Sequence, residues 1–181
     1  MARARTPKFL CTLQDYENAL YSFPGVLDAK CIDMSVSEAE DLLPYQVVGY
    51  VLTDNNASMS SELKNELTNY IRSKQDITRS IIIKDAIIKE LVFDINFTVT
   101  NENINLIDLE KDIIAFLEPY YNNKSFARII SKNHLISSIL TNFPMIKTLT
   151  INNPSEDIYP SIGEVIDITD ILVRGDYYRQ L

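Results

Sequence analysis

Apolar residues recur along the chain at two spacings, and each spacing predicts one type of secondary structure. Leu13, Tyr16 and Leu20 follow the period of a helix, and Pro24-Gly25 is expected to end that helix. Between Ile87 and Val99 the odd positions are apolar with one exception, which is the alternation of a strand with one buried face. These segments give the clearest helix and strand signals in the sequence.

Weaker patterns predict five more strands and three more helices. The residues expected to open the four helices are Thr12 with Asp15, Ser60, Asn105 with Asp108, and Ser131 or Asn133. The other predicted strands are Val26–Met34, Tyr45–Thr53, Arg79–Ile83, Met145–Ile151 and Glu164–Val173. Phe126–Ile130 is expected to be extended or to begin a helix. Glu38–Asp41, Asp54-Asn55-Asn56 and Asn152–Ser161 are predicted connections.

The order of these elements predicts the α+β class, with two small lobes that are each a mostly antiparallel sheet with helices packed on one face. In the first lobe the order is helix, strand, strand, helix, strand. The second lobe begins near Lys84–Ala86, just before the long alternating strand. The predicted division is 1–11 as an N-terminal arm, 12–84 and 85–174 as the lobes, and 175–181 as a C-terminal tail.

Composition supports a folded, soluble chain with an acidic surface. Apolar residues make up 46% and charged residues 23% of the 181 positions, which is typical of globular proteins. The net charge of −8 disfavours binding to nucleic acid, because phosphate backbones are also negative. No apolar run approaches the roughly 20 residues that span a bilayer, and the start lacks the apolar stretch of a signal peptide. We therefore expect synthesis in the cytoplasm and no membrane partner.

Few residues are placed to do chemistry. His134 is the only histidine, so a histidine ligand set for a metal is excluded, and a catalytic triad would depend on this residue alone. Cys11 and Cys31 lack metal-ligand spacing and are expected to be reduced, buried side chains. Four unclustered glycines provide no phosphate-binding loop. The sequence therefore predicts no catalytic residue, no cofactor and no metal site, and we expect that the chain is not an enzyme.

Aromatic and basic side chains are the candidates for partner contacts. Tyrosine and arginine are favoured at protein interfaces because they bury a large area at low entropic cost and keep a polar group. The candidate contact residues are Arg3, Arg5, Lys8, Tyr120, Tyr121, Tyr177, Tyr178 and Arg179. The alternative for each tyrosine pair is that one ring covers the core while the other is merely exposed. For the three basic residues the alternative is a solvated terminus.

Two short motifs near the start of the chain occur together in a distinctive order. Thr12, Asp15 and Tyr16 form a Thr-x-x-Asp-Tyr helix opening, and Pro24-Gly25-Val26 forms a helix exit into a strand. Later landmarks are Phe143-Pro144-Met145-Ile146 and Gly163-Glu164-Val165-Ile166-Asp167-Ile168. This succession, from about Thr6 to Val173, resembles the C-terminal half of the baseplate J-like family, which includes the baseplate wedge proteins of contractile-tailed phages.

The resemblance implies a structural role in a tail baseplate. Wedge subunits of this kind meet side by side and close a ring around the tail hub, so the implied partners are other wedge proteins and copies of the chain itself. The implied location is the virion tail, with assembly in the host cytoplasm. Larger family members carry a long N-terminal half, and this chain begins near the point where their C-terminal lobes would start. A phage and a phage-derived secretion machine both fit the resemblance.

Two alternative functions also fit the sequence. Ferredoxin-like α+β lobes occur in non-enzymatic regulatory domains that sense small molecules, and such a domain is expected to be stabilised by an amino acid or a nucleotide. A hydrolase that uses a serine or cysteine with His134 is the other alternative, and it is expected to lose activity in His134→Ala.

Overall fold

The structure is a computed structural model that describes residues 9–35, 42–54 and 58–178. Within these ranges the chain forms four helices and six strands. Their bounds are α1 Leu13–Tyr21, β1 Val26–Ile32, β2 Gln46–Thr53, α2 Ser61–Arg72, β3 Ser80–Asp85, β4 Ile87–Val99, α3 Leu106–Asn122, α4 Lys132–Asn142, β5 Ile146–Asn153 and β6 Glu164–Tyr177. The predicted connection Glu38–Asp41 and two of the predicted turn residues, Asn55 and Asn56, lie outside the described residues.

These elements belong to two compact units. The first contains the described residues up to Ile88 together with Ser161–Glu164, and the second contains Lys89–Pro160 and the described residues from Val165 onward. The predicted α+β class with two small lobes is confirmed. Leu10 is buried, and residues 175–177 belong to β6. The predicted bounds of the arm, the two lobes and the tail stay a prediction.

The first sheet has the strand order β1-β2-β3 and is mixed. β1 pairs with β2 antiparallel, whereas β2 pairs with β3 parallel. The parallel pairing follows from the connection, because α2 lies between β2 and β3 and returns the chain to the starting end of the sheet. The expected mostly antiparallel sheet is therefore one antiparallel and one parallel pair.

The capping box that the sequence predicts for α1 is present. Asp15 N–H donates to the Thr12 hydroxyl oxygen at 3.2 Å, and Thr12 N–H donates to the Asp15 carboxylate at 2.9 Å. These backbone and side-chain hydrogen bonds hold the pKa of Asp15 below its usual value. The helix thus begins where two of its unpaired N–H groups find acceptors.

The core of the first unit lies between its sheet and its two helices. α1 and α2 bury their apolar faces against one face of the sheet, which confirms the expected arrangement of helices. The fully buried helix residues are Tyr16, Ala19, Leu20, Leu67 and Ile71. A smaller cluster of Ile32 and Val48, packed with Leu42, Tyr50 and Ile162, covers part of the opposite face.

Tyr16 is the largest of these buried side chains, and its hydroxyl has no hydrogen-bond partner among the described residues. Burial also raises the pKa of Tyr16. An unpaired buried hydroxyl costs about 1–3 kcal/mol, so Tyr16→Phe is expected to leave the free energy of unfolding unchanged or to raise it by about 1 kcal/mol. Urea denaturation of both forms measures this difference.

Tyr177→Phe is the matched control for this prediction. The Tyr177 hydroxyl donates to the Ile104 carbonyl at 2.9 Å, so its removal is expected to cost about 1 kcal/mol. If Tyr16→Phe destabilised the protein as much as Tyr177→Phe, the Tyr16 hydroxyl would have to be paired, and the prediction would be wrong.

The second sheet has the order β5-β4-β6 and is also mixed. β4 pairs with β5 antiparallel. The Thr169 hydroxyl of β6 donates to the Leu91 carbonyl of β4, and further along both strands Tyr178 N–H donates to the Val99 carbonyl. Since residue numbers increase in the same direction along both strands, β4 and β6 are parallel. More than sixty residues separate β4 from β6, which is ample for a parallel connection through α3 and α4.

The core of the second unit lies on one face of this sheet. The odd residues of β4 point into it, as the alternation predicted, and α3, α4 and β6 complete it. The β4 residues concerned are Leu91, Phe93, Ile95, Phe97 and Val99. The even residues Asp94, Asn96 and Thr98 lie on the opposite face, which no helix covers within the described residues.

Candidate partner-contact surfaces

The first candidate surface is an open depression of about 490 Å³ on the second unit, between the end of α3 and the start of α4. It is formed where α3 stops and the chain turns back toward α4. Its lining residues are Pro119, Tyr120, Asn123, Arg128, Ile129 and His134. Tyr120, predicted from the sequence as a contact residue, therefore lies at a concave surface, and one side of its ring packs on the core.

Arg128 sets the electrostatics of this depression. Its guanidinium carbon lies 5.5 Å from the centroid of the Tyr120 ring, and its Nη1 donates to the Asn123 carbonyl. Burial lowers the pKa of Arg128, although the group stays charged at neutral pH. No described carboxylate forms an ion pair with it. The depression thus combines apolar and aromatic side chains with the polar Asn123 and His134 and one cationic group, Arg128, which suits a protein partner with an acidic residue.

His134 lies on the surface of α4 at the rim of this depression. Its side chain is exposed, and no hydrogen bond joins it to a serine or cysteine among the described residues. Within the same residues, no group of three or more histidine, cysteine, aspartate or glutamate side chains is placed to hold a metal ion. None of the helices in the described ranges is both long and apolar enough to cross a membrane.

The two C-terminal tyrosines differ in their environment. Tyr177 packs against the core of the second unit and is held there by its hydrogen bond to Ile104, whereas Tyr178 is exposed. The alternative proposed for the pair, one ring on the core and one in solvent, describes this arrangement. Whether Tyr178 contacts a partner stays a prediction.

Four of the predicted contact residues, Arg3, Arg5, Lys8 and Arg179, lie outside the described residues. The backbone of Tyr121 belongs to α3, but its side chain is not described. The structure therefore brings together Tyr120 with Arg128, and separately Tyr177 with Tyr178.

The second candidate surface is the uncovered face of the β5-β4-β6 sheet, which the sequence analysis did not single out as a contact site. A depression of about 390 Å³ lies on it, bordered by polar side chains of all three strands. The Thr98 and Thr148 hydroxyls are 2.6 Å apart across β4 and β5, and Arg174 pairs with Asp94 at 2.8 Å. The polar even positions of β4 were the available signal, since such alternation marks a face that is not part of the core.

The two cysteines also differ, which corrects the expectation that both are buried. Cys31 lies in β1 against α1, whereas Cys11 is exposed just before the helix, where its N–H donates to Asp15 at 3.1 Å. Both thiols are free. Burial, with a further contribution from Glu17, raises the pKa of Cys31 well above its ordinary value.

In the native protein, a thiol reagent at pH 8 is therefore expected to label one equivalent rapidly and the second only after unfolding. The fast equivalent is Cys11, so Cys11→Ser is expected to remove it and leave the slow one. Two equally fast equivalents in the folded protein would show that β1 opens readily at Cys31.

Comparison with solved structures shows a similarity of fold. No family model and no curated protein matches the chain. A chain of the cryo-EM structure of the anti-feeding prophage (AFP) baseplate, 6-fold symmetrised, superposes with a TM-score of 0.57 over 93% of this chain, at 11% sequence identity. The similarity is one of fold. This chain spans 38% of the length of that AFP baseplate chain.

Proposed function

We propose that this protein is a structural component of a contractile-tail baseplate, in which it joins wedge proteins and copies of itself into a ring. The observation that carries the proposal is the fold shared with the AFP baseplate chain over 93% of this chain. The motif order from Thr12 to Gly163 supports the proposal independently, because it is a property of the sequence and not of the fold.

The surfaces of the second unit suit this role. Wedge subunits that close a ring need at least two contact surfaces, because each copy meets a neighbour on either side. The Tyr120–Arg128 depression and the uncovered polar sheet face are two such candidates. We also propose that the chain is not an enzyme and that it resides in the tail of the assembled particle.

The test is to tag the chain, purify tail particles from the producing cells, and identify their proteins by mass spectrometry and electron microscopy. The chain is expected to copurify with tube and sheath proteins and to localise to the baseplate end. Intact tails that contain no trace of the chain would rule the proposal out. Genes for sheath, tube and spike proteins beside its own would be the expected genomic context.

A thermal-shift screen separates this proposal from the ligand-sensing alternative. Amino acids and nucleotides are expected to leave the unfolding temperature unchanged. A reproducible, saturable rise with one of them would favour a regulatory domain, since a ligand that binds only the folded state stabilises it.

A further inference from the structure

The four edge strands of the two sheets are not equivalent. β1 and β3 are the edges of the first sheet, and β5 and β6 are the edges of the second. An edge strand exposes a row of N–H and C=O groups that another chain can pair with, unless side chains block it. The hydrogen bonds of these four edges separate them into two that are occupied and two that are open.

The outer edge of β6 is occupied by carboxylates. Tyr178 N–H points to β4, so the N–H groups of odd residues in this part of the strand point outward. Ile171 N–H donates to Asp170 at 2.8 Å, Gly175 N–H to Glu110 at 2.7 Å, and Tyr177 N–H to Asp176 at 2.8 Å. A strand added here would have to displace three charged acceptors.

The outer edge of β1 is occupied in the same way. Ala29 N–H donates to Asp28 at 2.9 Å, and Cys31 N–H donates to Glu17 of α1 at 3.0 Å. Glu17 is held in place by an ion pair with Lys30 at 3.0 Å. In both units, therefore, outward N–H groups of one edge strand are paired with carboxylates. One carboxylate is a helix glutamate, Glu17 or Glu110, and the others are aspartates of the strand itself.

Within the ranges that the structure describes, the outer edge of β3 has no such acceptors. Ser80 N–H and Ala86 N–H donate to carbonyls of the β2 side, so the N–H groups of Ile81 and Ile83 point away from the sheet. No hydrogen bond from either group is found among the described residues. β3 is thus an unblocked edge.

Apolar side chains accompany this open edge. Ile82 lies on the face opposite α2 and is 38% exposed, although its register partner Val48 is buried. Ile77, just before the strand, is 99% exposed, and Ile87, just after it, is exposed as well. Lys84 is the one charged side chain exposed on this strand, and the isoleucines around it are not part of the usual protection of an edge, which relies on charged side chains or proline.

β5, the other open edge, carries that usual protection. Lys147 is the first residue of this strand whose main-chain groups point outward, and its side chain is exposed. The side chains of Thr148 and Thr150 face solvent on the uncovered face of the sheet. Charged and polar side chains of this kind discourage strand addition. Of the two open edges, β3 is the one that has an exposed apolar side chain, Ile82, within the strand itself.

We propose that the outer edge of β3 accepts an extended apolar segment of a different protein subunit, which adds to the first sheet as a fourth strand. The main-chain groups of Ile81 and Ile83 would supply the hydrogen bonds, and Ile82 would be covered by an apolar side chain of the segment. Lys84 is exposed on the same face as Ile82, where its Nζ lies 5.9 Å from the centroid of the Tyr50 ring and forms no ion pair with a described carboxylate, so a carboxylate of the segment would suit it.

A different subunit fits better than a second copy. β3 itself offers no acidic side chain free to meet Lys84 of a second copy paired along the same edge. Asp85 is occupied, since its carboxylate accepts Met59 N–H at 2.6 Å. This inference depends on the hydrogen bonds of the first sheet and does not require the baseplate role.

The test uses hydrogen exchange by NMR with a capped synthetic peptide of alternating valine and threonine containing one central glutamate. At millimolar peptide, the amides of Ile81 and Ile83 are expected to exchange at least tenfold more slowly, while those of Ala29, Cys31 and Gly175 do not change. Ile82→Lys is expected to abolish this protection. Leu172→Lys, at an equally exposed residue of the occupied edge β6, is the matched control and is expected to retain it.

Charge reversal provides a second test that does not disturb the sheet. Lys84→Glu is expected to weaken protection by the glutamate peptide and to restore it with a lysine peptide. The proposal is overturned if Ile81 and Ile83 show no added protection, or if Lys147 and Leu149 of β5 are protected equally. Protection that grows with protein concentration in the absence of peptide would identify a second copy as the occupant and overturn the choice of partner.

Discussion

Replacing Phe93 by alanine is expected to lower the free energy of unfolding of the second unit by about 3–5 kcal/mol, because the change removes a large buried ring and leaves a cavity. Phe93 has no exposed surface and lies in β4, which is hydrogen-bonded on both sides as the central strand. The surrounding main chain therefore cannot readily move in to fill the cavity. Urea denaturation followed by circular dichroism measures the loss, and it is expected to approach the whole stability of a domain this size.

Phe9→Ala is the matched control for this substitution. It makes the same chemical change at an exposed ring, so the free energy of unfolding is expected to shift by less than about 0.5 kcal/mol. A similar loss in both variants would mean that the effect does not come from burial in the β4 core.

The interior of β4 was predictable from sequence because its signal is local. Apolar and polar residues alternate from Phe93 to Val99, and the pleat of a strand sends alternate side chains to opposite faces wherever the strand lies in the fold. The α1 capping box was predictable for the same reason, since Thr12 and Asp15 are three residues apart. Such patterns need no knowledge of distant neighbours.

The start of α4 shows where local patterns fail. Ser131 was one of two residues expected to cap the helix, and it does occupy the N-cap position, but its side chain forms no cap hydrogen bond within the helix. Asp157 supplies the acceptor instead: Lys132 N–H donates to it at 2.8 Å, and the Ser131 hydroxyl donates to it at 3.2 Å. A partner 25 residues away in sequence leaves no local trace.

The length of β6 was underestimated for a related reason. The predicted strand ended at Val173, whereas β6 continues to Tyr177. Thr169 and Asp170 are both exposed although they follow one another, so the alternation of buried and exposed side chains is interrupted within the strand. The continuation is fixed by hydrogen bonds to distant residues, such as Gly175 N–H to Glu110, which the sequence does not reveal.

The candidate surfaces were predictable only in part. Tyrosine pairs in the sequence predicted two places for partner contacts, and this stays a prediction. The sequence did not show which ring of the C-terminal pair packs on the core, because that depends on partners such as Ile104, 73 residues from Tyr177. Arg128, which gives the Tyr120 depression its charge, stands alone among apolar neighbours and shows no motif. The occupied and open sheet edges were equally hidden, since strand order cannot be read from composition.

Gly163→Ala is expected to be the most damaging small substitution in the first unit, with a loss of about 3 kcal/mol. Gly163 has φ +77°, and a side chain in this left-handed region costs about 1–2 kcal/mol. The added Cβ would also lie 2.5 Å from Cε1 of Tyr50, so the ring must move away from the Ile32–Val48 cluster. Overpacking of this kind costs a further 1–3 kcal/mol or so.

Gly25→Ala separates these two contributions. Gly25 has φ +84°, but nothing lies within 4 Å of the position its Cβ would take, so only the backbone cost of about 1–2 kcal/mol is expected. In a Tyr50→Ala background, Gly163→Ala is expected to fall to the same cost, because the ring that it meets is absent. Urea denaturation of the four single and double variants measures both differences. Equal losses for Gly25→Ala and Gly163→Ala in the presence of Tyr50 would show that the ring moves aside without cost.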